Sequence, residues 1–114
     1  MTTIYHNPRC SKSRQTLALL EERNIACDVV LYLETPPDEK TLKDLLKKLG
    51  ISARELLRKG EEEYKALKLD NSALKDDALI AAMCKHPKLI ERPIVVHGKQ
   101  AALGRPPEKV LEIL

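Results

Sequence analysis

Phenylalanine and tryptophan are absent from the sequence and tyrosine occurs only three times, so any core must be packed from Leu, Ile, Val and Ala. No apolar run approaches the roughly 20 residues that a membrane span needs. The opening stretch, MTTIYHNPRC, lacks the apolar segment of a secretory signal, and a cytoplasmic location is expected. An excess of one charge is also missing. Twenty Lys and Arg against seventeen Asp and Glu leave +3, too little, with scattered tyrosines, for a nucleic-acid surface of basic stripes and stacking aromatics. Cysteine is sparse: Cys10, Cys27 and Cys84 form no even disulfide framework, no CxxC pair and no zinc-ligand spacing. What is present, 43% hydrophobic and 32% charged residues in 114, suits one folded domain. Function therefore has to reside in a local site, and a working thiol is the first candidate.

Thr2 to His6 is suited to a strand and runs into Asn7-Pro8, a turn signal that disfavours helix at Asn7. Ser11 to Arg23 reads as a helix, with Thr16, Leu17 and Leu20 near one side. Cys27 to Leu33 is rich in strand formers, which completes a βαβ unit, expected to be right-handed and parallel. Asp38 then caps a helix whose Leu42, Leu45, Leu46 and Leu49 fall at i, i+3, i+4 and i+7, ending at Gly50. Ser52 and Glu55 have capping-box spacing, so a short helix is expected to carry Leu56, Leu57 and, at its far end, Arg58. Glu61 to Leu67 and Asp76 to His86 read as two more helices, the second stopped by Pro87. The last third offers strands at Ile94 to His97 and Gln100 to Leu103, a turn at Gly98-Lys99, and a helix opened by Pro106-Pro107. The order βαβ, helices, ββα predicts an α/β fold of thioredoxin-like plan: a four-stranded mixed sheet with flanking helices and a helical insertion at about 38–86, all in one domain spanning 1–114.

Cys10 falls between a strand-ending turn and a helix start. Free backbone N–H groups and the positive helix end stabilise a thiolate there, so its pKa should fall. His6, Arg9, Lys12 and Arg14 add donors or positive charge nearby, and the same N–H groups, with Ser11, Ser13 and Arg14, form a cradle for an anion.

HNPRCSKSR at 6–14, LYLETPP at 31–37, ARELLRKGEEEY at 53–64, ERPIVV at 91–96 and GRPPEKVLEIL at 104–114 follow one another in a specific order and spacing. In these segments the chain resembles the glutaredoxin-coupled arsenate reductase family, and most of all its short bacterial members. The longer plasmid-borne enzymes carry a C-terminal extension beyond the position of Leu114. The resemblance implies that Cys10 is the nucleophile, that Arg58, Arg92 and Arg105 bind the arsenic oxyanion, that His6 tunes the thiol, and that a cis peptide precedes Pro93. Arginine suits the task because a planar, permanently charged guanidinium offers a fork of donors to a tetrahedral oxyanion. It also implies thiol-dependent reduction of arsenate to arsenite, with glutathione as co-substrate, glutaredoxin as partner, and no bound cofactor or metal.

Cys27 and Cys84 are expected to be structural thiols. The phosphatase-like, thioredoxin-coupled arsenate reductases place Arg six positions after the nucleophile, whereas Thr16 stands there here. His86, His97 and the three tyrosines are expected to pack or meet solvent, and Glu61-Glu62-Glu63 to be a solvated helix start. Two rival readings stay open. Relatives of this fold regulate transcription by docking on RNA polymerase, often through a CxxC switch, but Ser13 stands where the second cysteine would be. A reductase-like thiol protein acting on another oxyanion or on a disulfide would share the same site.

Overall fold

The structure, a computed structural model, describes residues Thr2 to Leu114. The backbone forms two compact units, one from residues up to Thr35 together with Arg92–Leu114, the other from Pro36–Glu91.

The first unit contains β1 (Thr2–Tyr5), α1 (Ser11–Glu22), β2 (Asp28–Val30), β3 (Ile94–His97) and β4 (Gln100–Leu103). Its sheet has the order β2-β1-β3-β4. β1 runs parallel to β2, with Ile4 opposite Val29, and antiparallel to β3, with Ile4 opposite Val95. β4 closes a hairpin on β3, and Gly98 takes the positive φ of 62° that the two-residue turn requires. Ile4 and Val95 form a fully buried cluster with Leu20 of α1 and Val110 of the C-terminal segment, and Leu17, Ile25, Ala102 and Ile113 pack against it. Each such aliphatic side chain contributes about 1.5–3 kcal/mol by leaving water, which is how a core without Phe or Trp holds.

Two elements differ from expectation. β2 covers Asp28–Val30 rather than Cys27 to Leu33, because the Leu31 carbonyl accepts the N–H groups of both Glu34 and Thr35 at 2.9 Å and turns the chain. The C-terminal helix is a 3-10 run, Pro107–Ile113, in which the Lys109 N–H donates to the Pro106 carbonyl at 3.0 Å. Tighter i→i+3 closure is common in short terminal segments.

The second unit is helical: α2 (Glu39–Leu49), α3 (Ala53–Leu56), α4 (Glu62–Ala66), α5 (Asp76–Lys85) and a 3-10 turn at Pro87–Leu89. Asp38 caps α2 by accepting the Thr41 N–H at 2.7 Å, and Gly50 ends it with φ 71°. Ser52 and Glu55 form the capping box of α3. Leu42, Leu45 and Leu46 of α2 are buried, as are Leu79, Ile80 and Met83 of α5, and the two helices pack together.

The expectation that Arg58 ends a helix is corrected. α3 stops at Leu56, and Leu57 turns extended to form an antiparallel bridge with Ile90. Arg58 N–H donates to the Leu89 carbonyl at 2.8 Å and Glu91 N–H to the Leu56 carbonyl at 2.9 Å, so strand-like pairing replaces the lost helical bonds. Among the described residues, no helix is long and apolar enough to cross a membrane.

Candidate active site

Cys10 is the N-cap residue of α1, with extended backbone angles, φ −95° and ψ 123°. The turn that delivers it is built by Asn7. Its carbonyl accepts the Cys10 N–H at 3.0 Å, and its side-chain Oδ1 accepts the Arg9 N–H at 3.0 Å. The Cys10 carbonyl then takes the first helical bond, from Arg14 N–H at 3.0 Å. This leaves the N–H groups of Ser11, Lys12 and Ser13 without helical acceptors, as at every helix start.

The thiol is nearly covered, 8% exposed. Burial alone pushes its pKa up. Against it act the Ser13 N–H, the Arg92 guanidinium, the Lys12 N–H and a hydrogen bond from Arg92, and together they hold the thiol below its ordinary value.

His6 and Ser13 lie behind the loop. Ser13 is fully buried, and its hydroxyl oxygen accepts the Asn7 N–H at 3.0 Å and lies 2.6 Å from His6 Nδ1. Burial, then the nearby positive charge of Arg14, lowers the His6 pKa. With its hydrogen on Nε2, a neutral imidazole accepts at Nδ1, and in that tautomer the Ser13 O–H donates to it. Ser13 thus ties the strand end to the helix start through its side chain while its N–H serves the sulfur. Arg14 ties the same loop from outside, Nη1 donating to the Pro8 carbonyl at 2.9 Å.

Arg92 reaches the Cys10 sulfur from the C-terminal part of the same unit, and Arg105 lies beside Arg92. The Arg92–Pro93 peptide bond is cis, the geometry the resemblance implies, and Arg105–Pro106 is cis as well, which nothing in the sequence reading anticipated. Arg105 Nη1 donates to the Arg92 carbonyl at 3.3 Å, and Gly104 N–H to the Pro93 carbonyl at 2.9 Å.

Gly104 is a close-packing position beside this loop that sequence reasoning missed. A Cβ there would run into Thr16 Oγ1 and sit 2.8 Å from Pro93 Cγ. Thr16 is itself fully buried on α1 and donates its hydroxyl to the Lys12 carbonyl at 2.8 Å. A bare glycine therefore lets the Pro93 segment and the helix that begins at Cys10 approach closely, with Arg92 one residue before Pro93 and Arg105 one after Gly104. The only signal in the sequence was a glycine directly before Arg105-Pro106, too common a pattern to single out.

Arg58 belongs to the Pro36–Glu91 unit, where Nη1 lies 3.4 Å from Glu61 Oε2 and Nε 3.7 Å from Glu91 Oε1. Glu61 is thus an ion-pair partner rather than merely a solvated helix start. Of the other candidates, His97 Nδ1 lies 2.9 Å from Thr2 Oγ1, and Tyr32 is buried. Cys27 and Cys84 are half-buried, and both have raised pKa values. Burial is the main cause, followed by Glu21 and Asp28 at Cys27 and by Glu39 and Asp38 at Cys84.

The pattern of the ArsC family matches residues 5–113, nearly the whole chain and every segment that builds this loop. The chain belongs to the ArsC family. Among similar ArsC relatives, the uncharacterized protein YfgD of Escherichia coli strain K12 is 62% identical over 112 residues, covering 97% of this chain and 94% of its own length. An arsenate reductase of Neisseria meningitidis serogroup B is 55% identical, covering 97% and 96%. A solved ArsC-like structure, described as an arsenate reductase from Vibrio cholerae, superposes with a TM-score of 0.97 at 60% identity, covering 99% of this chain and 97% of that one. The fold expected from the sequence, a four-stranded mixed sheet with flanking helices of thioredoxin-like type, is thereby shown for this ArsC chain.

Proposed function

We propose that the protein reduces arsenate to arsenite through Cys10. One observation carries the reading: a nearly buried thiol whose pKa is held down by a helix N-terminus and by the Arg92 guanidinium. A thiol in that setting is both a nucleophile and a neighbour of anion-binding groups. The names of similar proteins, arsenate reductase in Neisseria meningitidis and Vibrio cholerae, support the choice of anion.

In the proposed reaction the Cys10 thiolate forms a sulfur–arsenic bond with arsenate and one arsenic–oxygen bond breaks, the oxygen leaving as water after protonation. Arsenic is still pentavalent. Glutathione thiolate then displaces a second hydroxide and forms its own sulfur–arsenic bond. Glutaredoxin thiolate attacks the glutathione sulfur, giving a mixed disulfide, and the electron pair of the glutathione–arsenic bond passes to arsenic, which becomes trivalent. Water releases arsenite and restores Cys10. Arg92 and Arg105 are proposed to hold the arsenic oxygens and Arg58 to act as a third guanidinium on the strength of the family resemblance, while His6, Ser13, Arg14 and Pro93 position the loop. The chain's own side chains supply the site, glutathione and glutaredoxin supply the electrons, and a cytoplasmic location goes with that supply.

The test is arsenite formation by purified protein with arsenate, glutathione and glutaredoxin, run beside Cys10→Ser. Activity that depends on all three additions and vanishes in the variant supports the reading. Turnover that survives Cys10→Ser ends it.

A further inference from the structure

A cleft of about 310 Å³ opens beside the Cys10 loop, entirely within the sheet-bearing unit. One wall is the loop from His6 to Arg9, and the other is the turn from Leu31 to Glu34 that follows β2. The walls are tied together by His6 N–H donating to the Val30 carbonyl at 2.8 Å, and each is fixed internally, by the Asn7 and Leu31 carbonyl bonds described above. The shape is therefore preformed, and its volume falls at the small end of the range for small-molecule sites.

Its chemistry is divided. Pro8, Leu31 and Leu33 supply an apolar lining, while Arg9 and Glu34 supply one cation and one anion. Neither of these two side chains forms an ion pair with any described residue, although both line the same cleft. A guanidinium on one wall and a carboxylate on the other match a ligand that carries its own carboxylate and ammonium, with a short uncharged body between them.

The geometry points to this cleft as the binding site for a small zwitterionic peptide thiol, the co-substrate that resolves the arsenic adduct. The inference rests on the reductase reading for its purpose. An extended tripeptide spans about 10 Å, and Cys10 is the residue after Arg9, so a thiol on the central residue is within chain reach of the adduct. Arg9 takes the peptide's C-terminal carboxylate, Glu34 the ammonium at its other end, and the leucines the aliphatic stem between them. Glutathione is the probe of this class.

Two experiments separate this inference from the reading beneath it. In the first, S-methylglutathione, which cannot react, is titrated into the wild-type protein and amide shifts are followed by NMR. Shifts centred on Asn7, Arg9 and residues 31–34 support the cleft even in a protein that makes no arsenite, a result that would instead count against the reductase reading. Shifts confined to other residues, or none at millimolar ligand, overturn the cleft whatever the activity. In the second, Glu34→Lys is assayed for turnover. The KM for glutathione should rise about tenfold. The KM for arsenate and the iodoacetamide reactivity of Cys10 should stay put, and the rate with 2-mercaptoethanol, which has no charges to recognise, should not fall. An unchanged glutathione KM in Glu34→Lys and in Arg9→Glu would overturn the assignment.

Discussion

Cys10 and Cys84 stand at opposite ends of helices. Cys10 caps the start of α1, where N–H groups point outward, and Cys84 is the penultimate residue of α5, where carbonyls do. Both are drawn out of water, Cys10 more completely, and burial pushes both thiols up. At Cys84 the next influences are Glu39 and Asp38, which push in the same direction. At Cys10 they are two peptide N–H groups and a guanidinium, which reverse the sign. The direction of the shift is thus set by the N–H groups and charges brought to the sulfur rather than by exposure, since the more buried thiol is the one whose pKa is lowered.

The bluntest way to break this contrast is to remove each sulfur in turn. Cys10→Ser should lower arsenite formation by roughly 10³-fold or more, because a hydroxyl is not ionised at neutral pH and cannot form the adduct. Cys27→Ser and Cys84→Ala should leave the rate within about twofold. A comparable loss from Cys84→Ala would mean that the second thiol takes part and that the helix-end argument misassigns the chemistry.

Gly104 tests whether the charge at Cys10 is delivered by packing. Gly104→Ala forces a methyl into Thr16 and Pro93, and overpacking of this kind costs about 1–3 kcal/mol. Part of the strain should appear as displacement of Arg92, so the alkylation rate of Cys10 at neutral pH should fall along with the melting temperature. Gly60→Ala, where an added Cβ meets nothing within 4 Å, should change stability by no more than about 0.5 kcal/mol. Equal effects of the two substitutions would remove Gly104 from the positioning machinery.

How legible all this was from sequence depends on the range of the interaction. Asn7-Pro8 before Cys10, Asp38 at the start of α2, Gly50 at its end and the Ser52–Glu55 box are local signals, and the structure carries each as read. Arg58 was misplaced on a helix because the bond that extracts it from one comes from Leu89, thirty-one residues away in sequence. The closeness of Gly104 to Thr16 spans most of the chain and leaves no periodic trace. Ser13 was read as an oxyanion donor, whereas its hydroxyl is engaged with His6 and Asn7, a pairing that adjacency in sequence does not specify.

Arg92 sharpens the comparison at a smaller scale. Arg92→Ala leaves the Ser13 and Lys12 N–H groups in place and removes the guanidinium, so the Cys10 titration should move toward that of an ordinary thiol. The thiolate fraction, and with it the iodoacetamide rate at neutral pH, should fall, while the rate at high pH, where both proteins are ionised, converges. If the neutral-pH rate does not change, the helix end alone holds the thiolate and Arg92 acts only on substrate.

The smallest expected effect concerns His6, whose lowered pKa makes it a buried neutral imidazole joined to Ser13. As pH falls below the ordinary value of 6.5, the unfolded chain takes up a proton that the native protein refuses, so stability declines until the folded pKa is crossed. One group gives at most about 1.4 kcal/mol per pH unit. Cys10 complicates the measurement, because a thiol with a depressed pKa also loses its contribution as pH falls through the folded value. The two losses have the same sign, and only a Cys10→Ser background isolates the imidazole. There, urea unfolding between pH 7 and 5 should show a decline that His6→Gln flattens, the glutamine having nothing to protonate. Equal slopes with and without His6 would mean that the imidazole is accommodated when charged, and the Ser13 bond would then have to be read as Nδ1–H donating to the hydroxyl rather than accepting from it.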